Sequence, residues 1–112
     1  GTLIAGAQAV HVAPALKAYI VDIADATRRS PNLSLGASPR AALALQRTAR
    51  AWAATNGRDY ATADDVKAVA GPVLGHRLMP TPEAEFEGVD AHGVLEDLLA
   101  RVPVPSSAAA KA

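Results

Sequence analysis

Apolar positions recur at intervals of three and four along most of this chain, the spacing that gathers side chains on one side of an α-helix. Between Pro14 and Arg29 the series Leu16, Ile20, Ile23, Thr27 predicts a first long helix. Pro14 suits its opening turn, where a missing N–H has no partner to lose, and Arg28 and Arg29 lie at the negative end of its dipole. Pro31 and Asn32 stop it. A second helix opens at Ser38-Pro39, a hydroxyl cap followed by a first-turn proline, and runs to about Asn56, where Gly57 is placed to end it in a left-handed conformation. Its stripe of Ala42, Leu45, Ala49 and Trp52 predicts a core face, with Arg40, Arg47 and Arg50 off it. A third helix follows the Thr62 cap, with Asp64 and Asp65 in its positive first turn and Val66, Val69 and Ala70 facing inward. Gly71-Pro72 is expected to kink or interrupt it before Val73 to Leu78. A last helix, from about Asp90 to Arg101, carries Val94, Leu95, Leu98 and Leu99, and Pro103 and Pro105 end the fold.

Shorter segments fill the gaps. Residues 3–9 predict a short helix, while Leu33 to Ala37 and Met79 to Gly88 have the composition of loops. Val10-His11-Val12 and Tyr60-Ala61-Thr62 read as brief extended pieces that pair with each other. The predicted fold class is all-α: a small bundle of four or five helices with that minimal two-stranded pairing. No internal repeat is present.

Composition supports one compact domain. The chain has 112 residues, half of them apolar and a fifth charged, and only 4% aromatic. The compact unit is expected over 1–105, with 106–112 as a flexible tail. Because the chain starts at Gly1 and closes on the linker-like PSSAAAKA, both ends are expected to be cuts made in a longer protein. The absence of cysteine excludes disulfides, thiolate metal sites and cysteine nucleophiles, and a cytoplasmic setting is the expectation. No apolar run approaches the roughly 18 residues of a membrane span, so no membrane insertion is expected.

Net charge is zero, but its distribution is uneven. From Ala26 to Arg58 there are six arginines and no acid; from Asp59 to Ala100 nine acids face only Lys67 and Arg77. Either the two halves pair on folding, or the arginines form a basic surface for a polyanion, a task that guanidinium suits better than ammonium.

Residues for self-sufficient catalysis are scarce. His11, His76 and His92 lack the i, i+4 spacing of a local metal site, and His11 in its Val-His-Val setting is expected to be half-buried. Ser30, Ser34 and Ser38 have neither a neighbouring histidine nor a glycine elbow. No Gly-rich phosphate loop with a following lysine is present, so these residues alone cannot hold a nucleotide. What stands out is Gly36-Ala37-Ser38-Pro39-Arg40, a tight loop whose proline-started helix fixes the direction of Arg40. The dipole opposes a cation there by roughly a few tenths of a kcal/mol. Local geometry leaves two readings open: a surface arginine beside an ordinary cap, or an arginine aimed outward for use.

That motif has company. Leu35-Gly-Ala-Ser-Pro-Arg40, preceded by YIVDIADATRR over 19–29 and followed by Gly57-Arg-Asp-Tyr-Ala-Thr-Ala-Asp-Asp-Val66 and Val73-Leu-Gly-His-Arg77, resembles the C-terminal lid of MoxR-type AAA+ ATPases, a magnesium-chelatase-like lid. The resemblance covers nearly everything from Val10 to Pro105. It explains the missing phosphate loop, since in that family the Walker motifs belong to a preceding α/β core. It implies that Arg40 is the sensor 2 arginine, both catalytic and nucleotide-binding, reaching across the interdomain cleft to the terminal phosphates. ATP and Mg are then bound chiefly by the absent core, and this piece alone does not hydrolyse ATP. The implied partners are that upstream core, neighbouring subunits of a ring, a hexamer, and client proteins remodelled or matured in a chaperone-like way. No metal ligand and no nucleic-acid partner is expected.

Arg28, His76 and Arg77 also match family positions and are assigned to packing or ion pairing, with Asp59, Asp64 and Asp65 as partners. Where the family has a larger apolar residue and a proline, this chain has Ala61 and Ala63, which predicts looser local packing and a looser helix start. Two other classes compete. The arginine-bearing second helix would serve as the recognition helix of a helix-turn-helix DNA binder, against which stand a long turn and neutral total charge. A stand-alone helical interaction module is the other, since Tyr60 to Val66 faintly resembles histone-fold sequences.

Overall fold

The computed structural model describes residues 9–111. Its elements, in chain order, are α1 (Pro14–Arg29), β1 (Leu33–Leu35), α2 (Pro39–Thr55), α3 (Ala63–Leu74), a 3₁₀ turn (Gly75–Arg77), β2 (Met79–Pro80), α4 (Pro82–Phe86), α5 (Ala91–Arg101) and α6 (Ser107–Lys111). The domain is helical, as the periodicity predicts, with six helices among the described residues rather than four or five. The short helix expected over 3–9 lies almost wholly outside the described residues.

The core follows the stripes with one rotation. Leu16, Tyr19, Ile20 and Ile23 of α1, Val66, Val69, Ala70 and Leu74 of α3, and Val94 and Leu95 of α5 are buried together. Each of the larger aliphatic side chains contributes about 1.5–3 kcal/mol by leaving water. On α2 the buried set is Ala41, Leu45, Ala49 and Ala53, a strict i, i+4 row; Trp52 is 44% exposed and Ala42 only partly covered. The expected stripe is therefore turned by one residue. A row of alanines lets a neighbouring helix approach closely, and α2 shares its most extensive helix contact with α3. An indole does not fit that seam.

Caps set most helix starts. Ser38 Oγ accepts the Ala41 N–H at 3.1 Å, and Asp90 accepts that of Gly93 at 2.8 Å. Thr62 and Asp65 form a reciprocal capping box that starts α3 firmly although Ala63 stands in place of a proline; Ala61 and Ala63 are both buried. Gly57 adopts φ +75° after α2, as its position predicts. Gly71-Pro72, by contrast, does not interrupt α3. Pro72 lies in the last turn, where a missing N–H removes a single bond, and the chain then tightens into the 3₁₀ turn.

Two segments read as loops are structured. Thr81 accepts the Ala84 N–H at 3.1 Å and Pro82 occupies the first turn of α4, repeating the Ser38-Pro39 start. β1 pairs antiparallel with β2, Leu33 opposite Pro80 and Leu35 opposite Met79. The pairing expected between residues 10–12 and 60–62 reduces to one parallel bridge, His11 to Tyr60, with His11 N–H donating to the Asp59 carbonyl at 2.8 Å and Ala61 N–H to the His11 carbonyl at 2.9 Å. The His11 side chain is exposed, not half-buried. Ser106 Oγ caps α6 through the Ala109 N–H at 3.1 Å, and Ala110 is buried, so the segment read as a flexible tail has helical backbone.

Candidate functional site

The loop before Arg40 is held from several sides. A Cβ on Gly36 would stand 2.7 Å from the N and Cα of Arg28 and 2.8 Å from the Thr27 carbonyl carbon, so only glycine allows the loop to lie against the end of α1. Ala37 is gripped twice: its N–H donates to Thr27 Oγ1 at 2.8 Å, and Arg28 Nη1 donates to its carbonyl at 2.6 Å. Thr27 is wholly buried and donates its own hydroxyl proton to the Ala24 carbonyl at 2.6 Å, which leaves its oxygen oriented to accept. Arg28 is steadied in turn by an ion pair with Asp25, one helical turn back. Ser38 then caps α2 and Pro39 fixes its first turn. Arg40 is the next residue, so its departure from the backbone is set by contacts that the guanidinium itself does not make.

Arg40 is exposed, and among the described residues it has no hydrogen bond or ion pair. It lines a groove of about 340 Å³ with Leu35, Gly36, Ser38, Ala41 and Arg77. The strand pairing explains the presence of Arg77. With β1 and β2 antiparallel and Leu35 opposite Met79, the residues just after β1 and just before β2 emerge at the same end. Ser34 Oγ donates to the Met79 carbonyl at 3.1 Å and Thr81 N–H to the Asn32 carbonyl at 2.9 Å, pinning the ribbon, while Leu78 is buried beside it. Arg77 is exposed and likewise without a polar partner among the described residues. The groove thus holds two guanidinia and no carboxylate, a donor set suited to an anion with several oxygens.

The ion pairs expected for the other family positions form differently. Arg28 pairs with Asp25, not with Asp59, Asp64 or Asp65. His76 and Arg77 take none of those acids either. Asp65 is claimed by Arg58, which grips both carboxylate oxygens at 2.5 Å. Burial pushes the Asp65 carboxyl up, but the Arg58 guanidinium together with the Thr62 N–H and hydroxyl outweighs it and holds the group below its ordinary range. Among the described residues this is the one ion pair joining the basic 26–58 segment to the acidic 59–100 segment, so the two halves do not largely neutralise each other. Elsewhere, burial and, secondarily, the Asp64 charge push the Tyr19 hydroxyl up, and its oxygen has no hydrogen-bond partner among the described residues. No group of three or more His, Asp or Glu among the described residues is arranged to hold a metal ion.

Sequence reasoning singles out Arg40 but misses the Thr27 hydroxyl, which sits in an apolar stripe and looks like one more core residue. The AAA lid domain family matches residues 25–98, a span holding Thr27, Arg28, Arg40 and Arg77. The chain belongs to that family. Its relatives make it a lid of the MoxR type. It is 41% identical over 98 residues to the Bacillus subtilis protein YeaC, covering 88% of this chain and 31% of that protein. To protein MoxR of Paracoccus denitrificans it is 33% identical over 121 residues, covering 94% of this chain and 35% of the relative. Chaperone MoxR1 of Mycobacterium tuberculosis is 36% identical over 100 residues, 81% of this chain and 26% of the relative. The crystal structure of a "putative ATPase" from Cytophaga hutchinsonii superposes with a TM-score of 0.84 at 32% identity, over 91% of this chain and 34% of that one. The lid therefore spans about a third of the length of the proteins it matches.

Proposed function

We propose that this lid closes over Mg-ATP held by an α/β core elsewhere in the same polypeptide and supplies Arg40 as the sensor 2 arginine. The observation that carries the reading is Arg40 itself: an exposed guanidinium without a partner among the described residues, on a helix start fixed by Gly36, Thr27, Arg28 and Ser38. A cation so held stabilises charge on the phosphate oxygens during transfer without reorganising at that moment. Its reach also depends on the phosphates present, which couples nucleotide state to lid position. Mg belongs to the core in this reading; when bound it neutralises phosphate charge, and the lid's part is Arg40. The name of one relative, chaperone MoxR1, supports a chaperone-like role; in this reading hydrolysis is coupled to remodelling or maturation of client proteins in the cytoplasm, with the subunits in a ring, a hexamer.

The test is made on the complete polypeptide and on the lid alone. Arg40→Ala is expected to lower ATP turnover on the order of 10³-fold, the scale for an arginine serving phosphoryl transfer. Wild-type turnover in that variant overturns the assignment, and so does ATP hydrolysis by the lid alone above background.

A further inference from the structure

We infer that Arg77 is a second phosphate-contacting residue, so that the groove takes the phosphate that ATP has and ADP lacks between two guanidinia. The inference rests on the reading of Arg40 just given and adds a residue, a site geometry and a nucleotide preference to it.

The observation behind it is the contrast among the arginines. Arg28, Arg58 and Arg101 each have a carboxylate partner. Arg29, Arg40, Arg47, Arg50 and Arg77 have none among the described residues, and of these Arg40 and Arg77, on elements far apart in the chain, share one groove. Two like charges at one groove repel, and nothing lining it offsets them. An anion removes that repulsion, and a terminal phosphate, with about two negative charges and three oxygens, has acceptors for two forks at once. Leu35 and Ala41 add apolar walls, which strengthen charge interactions by displacing water.

Position is fixed on both sides. Arg40 is set by the clamped loop, and Arg77 by the ribbon, whose Leu35 opposite Met79 brings the end of the 3₁₀ turn to Gly36. Arg77 sits one residue from buried Leu78, so its backbone moves with the core while its side chain stays in solvent. This placement arises only because a β ribbon forms where the sequence suggests two loops.

The experiment uses the complete polypeptide, a non-hydrolysable methylene-bridged ATP analogue and ADP, with affinities read by titration. Arg77→Gln is expected to weaken the ATP analogue about tenfold, the scale of one charge-assisted hydrogen bond, and ADP less than about twofold. Arg77→Lys is expected to recover part of the loss. The double variant with Arg40→Gln is expected to lose less than the product of the single effects, because both groups serve one phosphate. Unchanged binding of the ATP analogue by Arg77→Gln overturns the proposal, as does an equal loss for ADP. If Arg40→Gln alone weakens the analogue, only the Arg77 assignment falls; if Arg40→Gln has no effect on binding or turnover, the sensor reading itself falls. Both side chains are exposed and unpaired among the described residues, so melting temperatures near wild type show that the variants are folded.

Discussion

Arg58 and Arg40 come from the same acid-free stretch, and the fold uses them in opposite ways. Arg58 bridges the turn after α2 to the start of α3, holding Asp65, a carboxylate 2% exposed, through two short hydrogen bonds. Arg40 stands on an equally well-defined helix start and touches no polar partner among the described residues. In the first region charge is spent internally, to fix the α2–α3 connection. In the second, the protein's own hydrogen bonds go to the backbone that carries the arginine, and the guanidinium is left over. A buried carboxylate partner makes Arg58 a support of the fold, whereas the groove shared with Arg77, more than the lack of a partner alone, makes Arg40 available to a ligand.

The contrast is open to direct attack. Its largest expected effect is on activity: in the complete polypeptide Arg40→Ala should cut turnover on the order of 10³-fold while shifting the melting temperature by less than about 2 °C. A variant that melts much earlier would place Arg40 with the structural arginines. Arg58→Ala should do the reverse, costing about 3 kcal/mol in urea denaturation because a buried carboxylate loses its cation, with turnover of the folded fraction near wild type.

Acid titration sharpens the same side. The folded-state pKa of Asp65 is depressed, so its contribution is present above the ordinary carboxylate range near pH 4 and is lost as pH falls further, through its folded value. Asp65→Asn should flatten that part of the stability profile. If the two profiles fall in parallel, Asp65 does not govern the acid limb.

A smaller effect is expected where the two regions are built rather than charged. Gly36→Ala places a methyl 2.7 Å from the α1 backbone and should cost about 2 kcal/mol, together with reduced turnover, since the displaced loop carries Arg40. Calorimetry and an ATPase assay on one sample decide whether the two losses travel together. Smallest of all is Tyr19→Phe. It deletes a buried hydroxyl without a partner among the described residues and should be neutral or stabilising by up to ~1 kcal/mol by thermal melting. A loss beyond ~1 kcal/mol would mean that the hydroxyl has a stabilising contact.

Much of this was legible without coordinates. Helix limits at Pro14–Arg29 and Pro39–Thr55 follow from apolar spacing, proline at the first turn and the glycine that ends α2, all of which act over a few residues. Ser38, Thr62 and Asp90 announce their caps. Errors arose where similar local signals met a wider context. Thr81-Pro82 carries the same start signal as Ser38-Pro39, but two prolines and three glutamates over 79–88 masked it. Trp52 and Ala53 are neighbours, and periodicity cannot say which one a partner helix will accept.

The chain alone determined the long helices α1, α2 and α5 and their ends, because hydrogen bonding and rotamer restriction within a few residues govern each of these. Only tertiary structure decided which charges are satisfied and which residues share a surface. Arg77 meets Arg40 because an antiparallel ribbon joins segments far apart in sequence, and Thr27 reaches Ala37 because Gly36 admits the loop to the end of α1. Such pairings depend on packing between distant elements, which no local pattern encodes.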